Sequence, residues 1–197
     1  MLGLRKFAAA ALAVSAVLSL SACANDPLAN QFKAGDNKNY IAGDGSVAEF
    51  AEANRGESIV WSGPTESGAM LKSEQLTGVV VVMNFWYAGC APCRAEAKDL
   101  VAMNRMFLDK NVQFVGVNVR DTAPTALAFD RTFDITWPSI IDAQSGSVLL
   151  AFTGIVTPQA VPTTIVIDKK GRVAARILGR FENSTLKAMI QRVVDEK

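Results

Sequence analysis

The sequence predicts an α/β fold with a central mixed β-sheet flanked by helices, and three observations carry that prediction. Residues 79–85 and 112–119 are almost unbroken apolar runs of strand length, the pattern of strands covered on both faces. Leu100, Met103 and Phe107 fall on one helical face between those runs. Residues 163–167 and 173–178 form a strand-turn-strand pattern around Asp168-Lys169-Lys170-Gly171.

Taken in order, residues 59–62 read as a short strand, with Met70 and Leu71 as its partner across the Gly63-Pro64 turn region. Residues 79–85 read as the central strand. A helix opens at Cys90-Ala91-Pro92-Cys93, where Pro92 suits a first turn that needs no backbone N–H. A second buried strand covers 112–119, a helix 124–133, a short strand 139–141 and a helical turn or two 147–152. After the hairpin, Asn183 or Ser184 caps a last helix that turns Leu186, Ile190 and Val193 inward. The globular part starts near Ser58, and the order β-α-β-α-β-β-α belongs to a layered α/β domain.

Composition narrows the chemistry. The 197 residues carry 20 Lys+Arg against 19 Asp+Glu, a net charge of +1, with 50% hydrophobic and 20% charged residues. That suits one domain with a real core and gives no charge excess for nucleic acid, so no nucleic-acid partner is expected. The chain has no His, which excludes Ser-His-Asp and Cys-His catalysis and every imidazole metal site. Three Cys cannot complete a four-ligand zinc site, so no metal is expected.

Arg5 and Lys6 precede an apolar run, residues 7–20, with the layout of a secretory leader. The run is short for a membrane span, which takes about 20 residues. It ends in Leu20-Ser21-Ala22-Cys23, which resembles the lipobox of bacterial lipoproteins. That resemblance implies cleavage before Cys23, acylation of its thiol, and an anchor on the outer face of the cell membrane. The expected organisation is a leader over 1–22, a lipid-anchored linker over 23–57 and a domain over 58–197. Residues 24–46, rich in Asn and Gly without a period, read as the flexible part of that linker.

Cys90-Ala91-Pro92-Cys93 between a strand and a helix reads as a redox pair. The helix N-terminus stabilises a thiolate at Cys90, and one turn brings Cys93 within reach to resolve a mixed disulfide. On this reading Cys90 is the exposed nucleophile and Cys93 the buried resolving thiol. A structural disulfide across so short a loop would contribute little by loop closure.

Residues 84–96, Asn-Phe-Trp-Tyr-Ala-Gly-Cys-Ala-Pro-Cys-Arg-Ala-Glu, resemble the active-site segment of the TlpA/ResA-like thioredoxin-fold proteins. Val161-Pro162-Thr163-Thr164-Ile165-Val166-Ile167-Asp168 is similar to a second stretch of that family. The resemblance runs from about Ser58 to the C-terminus. It implies a thioredoxin-like fold with an N-terminal β-hairpin extension and a central insertion. It also implies a membrane-tethered thiol–disulfide oxidoreductase, with no cofactor beyond the Cys90–Cys93 disulfide.

By position the family makes Pro162 a cis-proline facing the sulfurs, with the backbone of Val161 pairing with substrate and Glu96 handling protons. From spacing alone Glu96 is as readily a solvated helix residue near the N-terminus. Asn84 stands where ordinary thioredoxins carry a buried Asp, and Gly89 stands where most relatives have Trp. Trp86 keeps the other aromatic position, either beside substrate or in the core. The resemblance favours reduction of protein disulfides, often apocytochrome c thiols, by a monomer fed from a transmembrane electron donor. A disulfide-forming oxidase working with a transmembrane acceptor, a peroxiredoxin-like peroxidase and a non-catalytic binding lipoprotein are the alternatives.

Overall fold

The computed structural model describes residues 46–157 and 160–196, together with the backbone of Tyr40–Ile41. The leader-like run, Cys23 and residues 24–39 of the linker lie outside the described residues. Seven strands form one mixed sheet: β1 (Tyr40–Ile41), β2 (Val47–Glu49), β5 (Val80–Trp86), β6 (Val112–Asn118), β7 (Ser139–Ile141), β8 (Thr163–Ile167) and β9 (Val173–Leu178). Their spatial order is β1-β2-β9-β8-β5-β6-β7. β5, β6 and β7 run parallel, and β8, β9 and β2 join antiparallel on the other side of β5. A separate hairpin pairs β3 (Ser62–Pro64) with β4 (Met70–Lys72). The helices are α1 (Ala91–Phe107), α2 (Ala123–Phe133), α3 (Ser147–Ala151) and α4 (Asn183–Asp195). This is the thioredoxin-like arrangement that the sequence implies. Among the described residues no helix is long and apolar enough to cross a membrane.

β5 sits between β6 and β8, and all seven of its residues are buried. That is why its sequence shows no polar alternation. The pleat still divides its side chains. Val80 and Val82 join Leu100, Met103 and Phe107 of α1 and Leu186, Ile190 and Val193 of α4. Val81, Met83 and Phe85 face the other core, with Trp61, Ile140, Val148 and Phe152. Phe85, Phe107 and Phe152 are wholly enclosed, each contributing about 1.5–3 kcal/mol of hydrophobic stabilisation. Period 2 therefore sends Asn84 and Trp86 to the helix side.

Three sequence expectations change. The ordered sheet begins upstream of Ser58, because Val47–Glu49 pairs with β9 and carries β1 outside it. Three residues with one buried side chain, Ala48, leave no alternation to read. Gly63 and Pro64 lie within β3, and the chain turns after them, where Thr65 N–H donates to Ala69 O at 2.8 Å. A Cβ on Gly63 would run into the Ile140 side chain, so glycine is there for close packing. Asn183 is already helical, and Glu182 takes the N-cap position without a side-chain cap bond.

The segment before β3 is fastened to the far end of the chain. Arg55 Nη1 lies 2.9 Å from Asp168 Oδ2 in the β8–β9 turn, and Arg55 Nη2 lies 2.5 Å from Glu196 Oε1. Burial alone would push the Asp168 carboxyl up. Hydrogen bonds from the Arg172 backbone and the Arg55 and Arg172 guanidiniums outweigh it and hold the group below the usual carboxylate range.

Candidate active site

The site forms at the carboxyl end of β5, where the chain crosses Tyr87-Ala88-Gly89 and enters α1. Cys90 is the N-cap of α1, and its Sγ accepts the Cys93 backbone N–H at 3.1 Å. Pro92 occupies the first turn, as its missing N–H favours. Cys90 and Cys93 are joined as a disulfide. The orphan N–H groups and the helix dipole favour negative charge at this end of α1, and hence a thiolate once the pair is reduced.

The Val161–Pro162 peptide bond is cis and lies across from the pair, with Val161 O 3.9 Å from Cys90 Sγ. The two motifs, distant in sequence, thus meet in space. Cys90 is 2% exposed and Cys93 3%, so the open Cys90 that the sequence suggests is not what the disulfide form shows. Tyr87, Ala88 and Val161 pack against the cluster that holds both sulfurs and provide the cover. Trp86 is enclosed too. It stacks on Phe129 with ring centroids 4.3 Å apart, so it supports the site within the core rather than offering a surface beside the sulfurs.

Glu96 is fully buried on α1, one turn beyond Cys93, so the solvated alternative does not hold. Its Oε1 accepts from Asn84 Nδ2 at 3.0 Å. Asn84 pairs with Thr164 in the β5–β8 register, and the same Nδ2 lies 3.0 Å from Thr164 Oγ1. Burial raises the Glu96 pKa to about 8, and the Asn84 hydrogen bond and the Phe181 backbone only partly oppose that. Glu96 is therefore mostly protonated at neutral pH, a buried acid that can both give and take a proton.

Sequence reasoning missed the residues that brace the loop before Cys90. Asp121 Oδ2 accepts the Ala88 N–H at 2.6 Å and Asn118 Nδ2 at 2.9 Å. Asn118 Oδ1 in turn accepts the Arg120 and Asp121 backbone N–H groups at 3.1 and 2.7 Å. Arg94 Nη1 donates to Ala88 O at 3.3 Å, and the Arg120 guanidinium lies 4.2 Å from the Tyr87 ring centroid. One available signal was the Asn118-Val119-Arg120-Asp121 segment at the carboxyl end of a parallel strand, where α/β sheets place their sites. Among the described residues no three His, Cys, Asp or Glu side chains converge as metal ligands.

A cysteine disulfide at a helix N-terminus, opposite a cis-proline on a thioredoxin-like fold, defines the class of thiol–disulfide oxidoreductases. The comparisons agree with the geometry. Residues 61–190 match the Redoxin family, and the chain belongs to it. Thiol-disulfide oxidoreductase ResA of a Bacillus cereus strain is 25% identical over 126 residues, 64% of this chain and 70% of that protein. ResA of Bacillus subtilis (strain 168) is 28% identical over 120 residues, 61% of this chain and 64% of that protein. Among solved structures, a secreted thiol-disulfide isomerase from Corynebacterium glutamicum aligns with a TM-score of 0.72 and 28% identity. The alignment covers 82% of this chain and all of that one. A DsbF homologue from Corynebacterium diphtheriae aligns with a TM-score of 0.68 and 29% identity, covering 80% and 99%. The chain is a ResA-like thiol–disulfide oxidoreductase with a Cys-x-x-Cys disulfide.

Proposed function

We propose that this protein reduces protein disulfides on the outer face of the cell membrane, tethered through an acylated Cys23, with apocytochrome c thiols as the substrate class. The observation that carries the catalytic reading is Glu96, a buried and mostly neutral acid one turn beyond Cys93. The reducing direction and the substrate class rest on the resemblance of the Cys90 and Pro162 segments.

In the forward direction the Cys90 thiolate attacks one sulfur of the substrate disulfide. That S–S bond breaks, a Cys90–substrate disulfide forms, and the departing substrate thiolate takes up a proton. The ionised fraction of Glu96 takes the Cys93 proton, and the Cys93 thiolate attacks Cys90 Sγ. The second substrate thiol leaves, and the Cys90–Cys93 disulfide remains. Two electrons pass from the dithiol to the substrate, and a transmembrane donor restores them. The Val161 backbone beside cis-Pro162 aligns the substrate chain during the exchange. The protein works as a monomer on protein thiols and disulfides.

The test is the reduction potential of the Cys90–Cys93 couple in the full chain. A value near about −250 mV, close to thioredoxin, supports an electron donor. A value near about −120 mV makes the protein a disulfide-forming oxidase instead. The tether has its own test: a Cys23→Ser variant should leave the membrane fraction and lose the mass of the acyl chains.

A further inference from the structure

Ala88 is the residue that carries the chain toward Gly89 and Cys90, and both of its backbone polar groups are held from outside the loop. Its N–H goes to Asp121 and its C=O to Arg94. Asp121 is no free surface carboxylate. The same Oδ2 accepts Asn118 Nδ2, and Asn118, fully buried at the end of β6, folds its own Oδ1 back onto the Asp121 N–H. Arg94 is positioned as well, its guanidinium 5.2 Å from the Phe133 ring centroid and 5.9 Å from that of Phe129 on α2.

Beyond this grip the loop closes on itself, with the Cys90 N–H donating to Tyr87 O at 3.1 Å. Gly89 is exposed, and a Cβ built on it would meet only Tyr87 ring carbons, at 3.7 and 3.8 Å. A glycine beside the attacking sulfur leaves the backbone many conformations to choose from. Two charge-assisted bonds on the preceding residue remove much of that choice. They fix the loop that leads into Cys90, whose Sγ lies 3.9 Å from the Val161 carbonyl.

We propose that Asp121, assisted by Arg94, is a positioning residue that sets how a polypeptide disulfide approaches Cys90, by clamping Ala88 against the freedom of Gly89. It touches neither sulfur and acts through the backbone. The inference rests on thiol–disulfide exchange and not on the direction proposed above, so a failure of either leaves the other standing.

Reduced full-length protein is tested against a disulfide-bonded peptide and against glutathione disulfide, with thermal unfolding followed in parallel. Asp121→Ala removes the acceptor. It should lower kcat/KM on the peptide about tenfold, mainly through KM, and change the glutathione disulfide rate less than about threefold, as misplacement of a docking edge predicts. Asp121→Asn keeps an acceptor oxygen without the charge and should stay within about threefold of wild type on both. Gly89→Ala added to Asp121→Ala should recover part of the lost peptide activity, because Ala has fewer backbone conformations to lose. A role in stability alone would not give that rescue. The proposal is overturned if folded Asp121→Ala matches wild type on the peptide, if Asp121→Asn loses as much as Asp121→Ala, or if both substrates slow equally.

Discussion

Glu96 and Asn84 share a single hydrogen bond, Oε1 to Nδ2 at 3.0 Å, while Glu96 Oε2 has no hydrogen-bond partner among the described residues. An amide on β5 can solvate one oxygen of the carboxyl and cannot neutralise a charge on it. The acid therefore rises from 4.5 to about 8, with burial as the first cause. An Asp at position 84 would instead have put a second ionisable acid against the first. The Asn leaves Glu96 as the group that titrates beside the disulfide near neutral pH.

Because the folded pKa of Glu96 lies above the unfolded one, the native state holds a proton that the unfolded chain has already released. Stability from this group is complete below about 4.5 and falls as pH rises toward about 8. Asp130, raised from 3.8 to about 7 chiefly by burial, adds a slope of the same sign. Glu96→Gln should flatten the decline by the Glu96 share and leave that of Asp130. Chemical denaturation of both proteins at several pH values between about 4 and 9 checks this. The same substitution should slow exchange about a hundredfold or more, the usual cost of losing a general acid–base.

The two sulfurs should separate by trapping. Cys93→Ser leaves Cys90 able to attack and unable to be released, so a mixed disulfide with substrate should accumulate on non-reducing gels. Cys90→Ser should accumulate none and lose turnover. Equal trapping by both variants would reverse or abolish the assignment of Cys90 as the attacking sulfur.

How much of this could be read in advance depended on the range of the signal. β5 and β6 were legible because runs of buried positions leave long apolar stretches. The Cys90 and Pro162 segments were legible as motifs, and the fold brought them together. β2 was not, since its stability comes from pairing with β9 and not from its own three residues. The Asp121–Ala88 bond joins positions 33 residues apart through one oxygen, and no periodicity or spacing records it. The cover over Cys90 was equally hidden, because Val161 supplies it from the start of another strand.

Arg55 and Asp168 carry a prediction for stability. Their side chains are 4% and 3% exposed, and Asp168 also accepts from the Arg172 guanidinium and from the Lys170 and Arg172 N–H groups. Removing its carboxylate leaves Arg55 paired with the Glu196 carboxylate and takes the acceptor from these donors. Asp168→Ala should destabilise the domain by about 3–5 kcal/mol, as broken buried pairs do. The pH sign is opposite to that of Glu96. The Asp168 carboxyl is held below its ordinary range, so its contribution is present above about 3.8 and is lost as pH falls through the lower folded value. Acid unfolding of wild type and Asp168→Asn should therefore converge at low pH and separate above it.

Two glycines near the site make a contrasting pair. Gly89 is exposed, and a Cβ there makes ordinary contacts at 3.7 and 3.8 Å with Tyr87. Gly89→Trp should fold with a stability change within about 0.5 kcal/mol, as surface substitutions usually do. Any change it brings should appear in exchange rates with polypeptide substrates. Gly116 on β6 is buried, and a Cβ there would collide with the Ser139 hydroxyl and come within 2.8 Å of Trp86 Nε1. Neither neighbour can retreat easily, since Trp86 is stacked on Phe129 and Ser139 is held in β7. Gly116→Ala should cost about 1–3 kcal/mol by overpacking and push the Trp86 ring against the cluster that holds Cys90 and Cys93. Thermal unfolding and the reactivity of the reduced Cys90 thiol, measured on both variants, check the pair. If Gly116→Ala were neutral in both, Trp86 would not be the rigid support beneath the disulfide that its packing indicates.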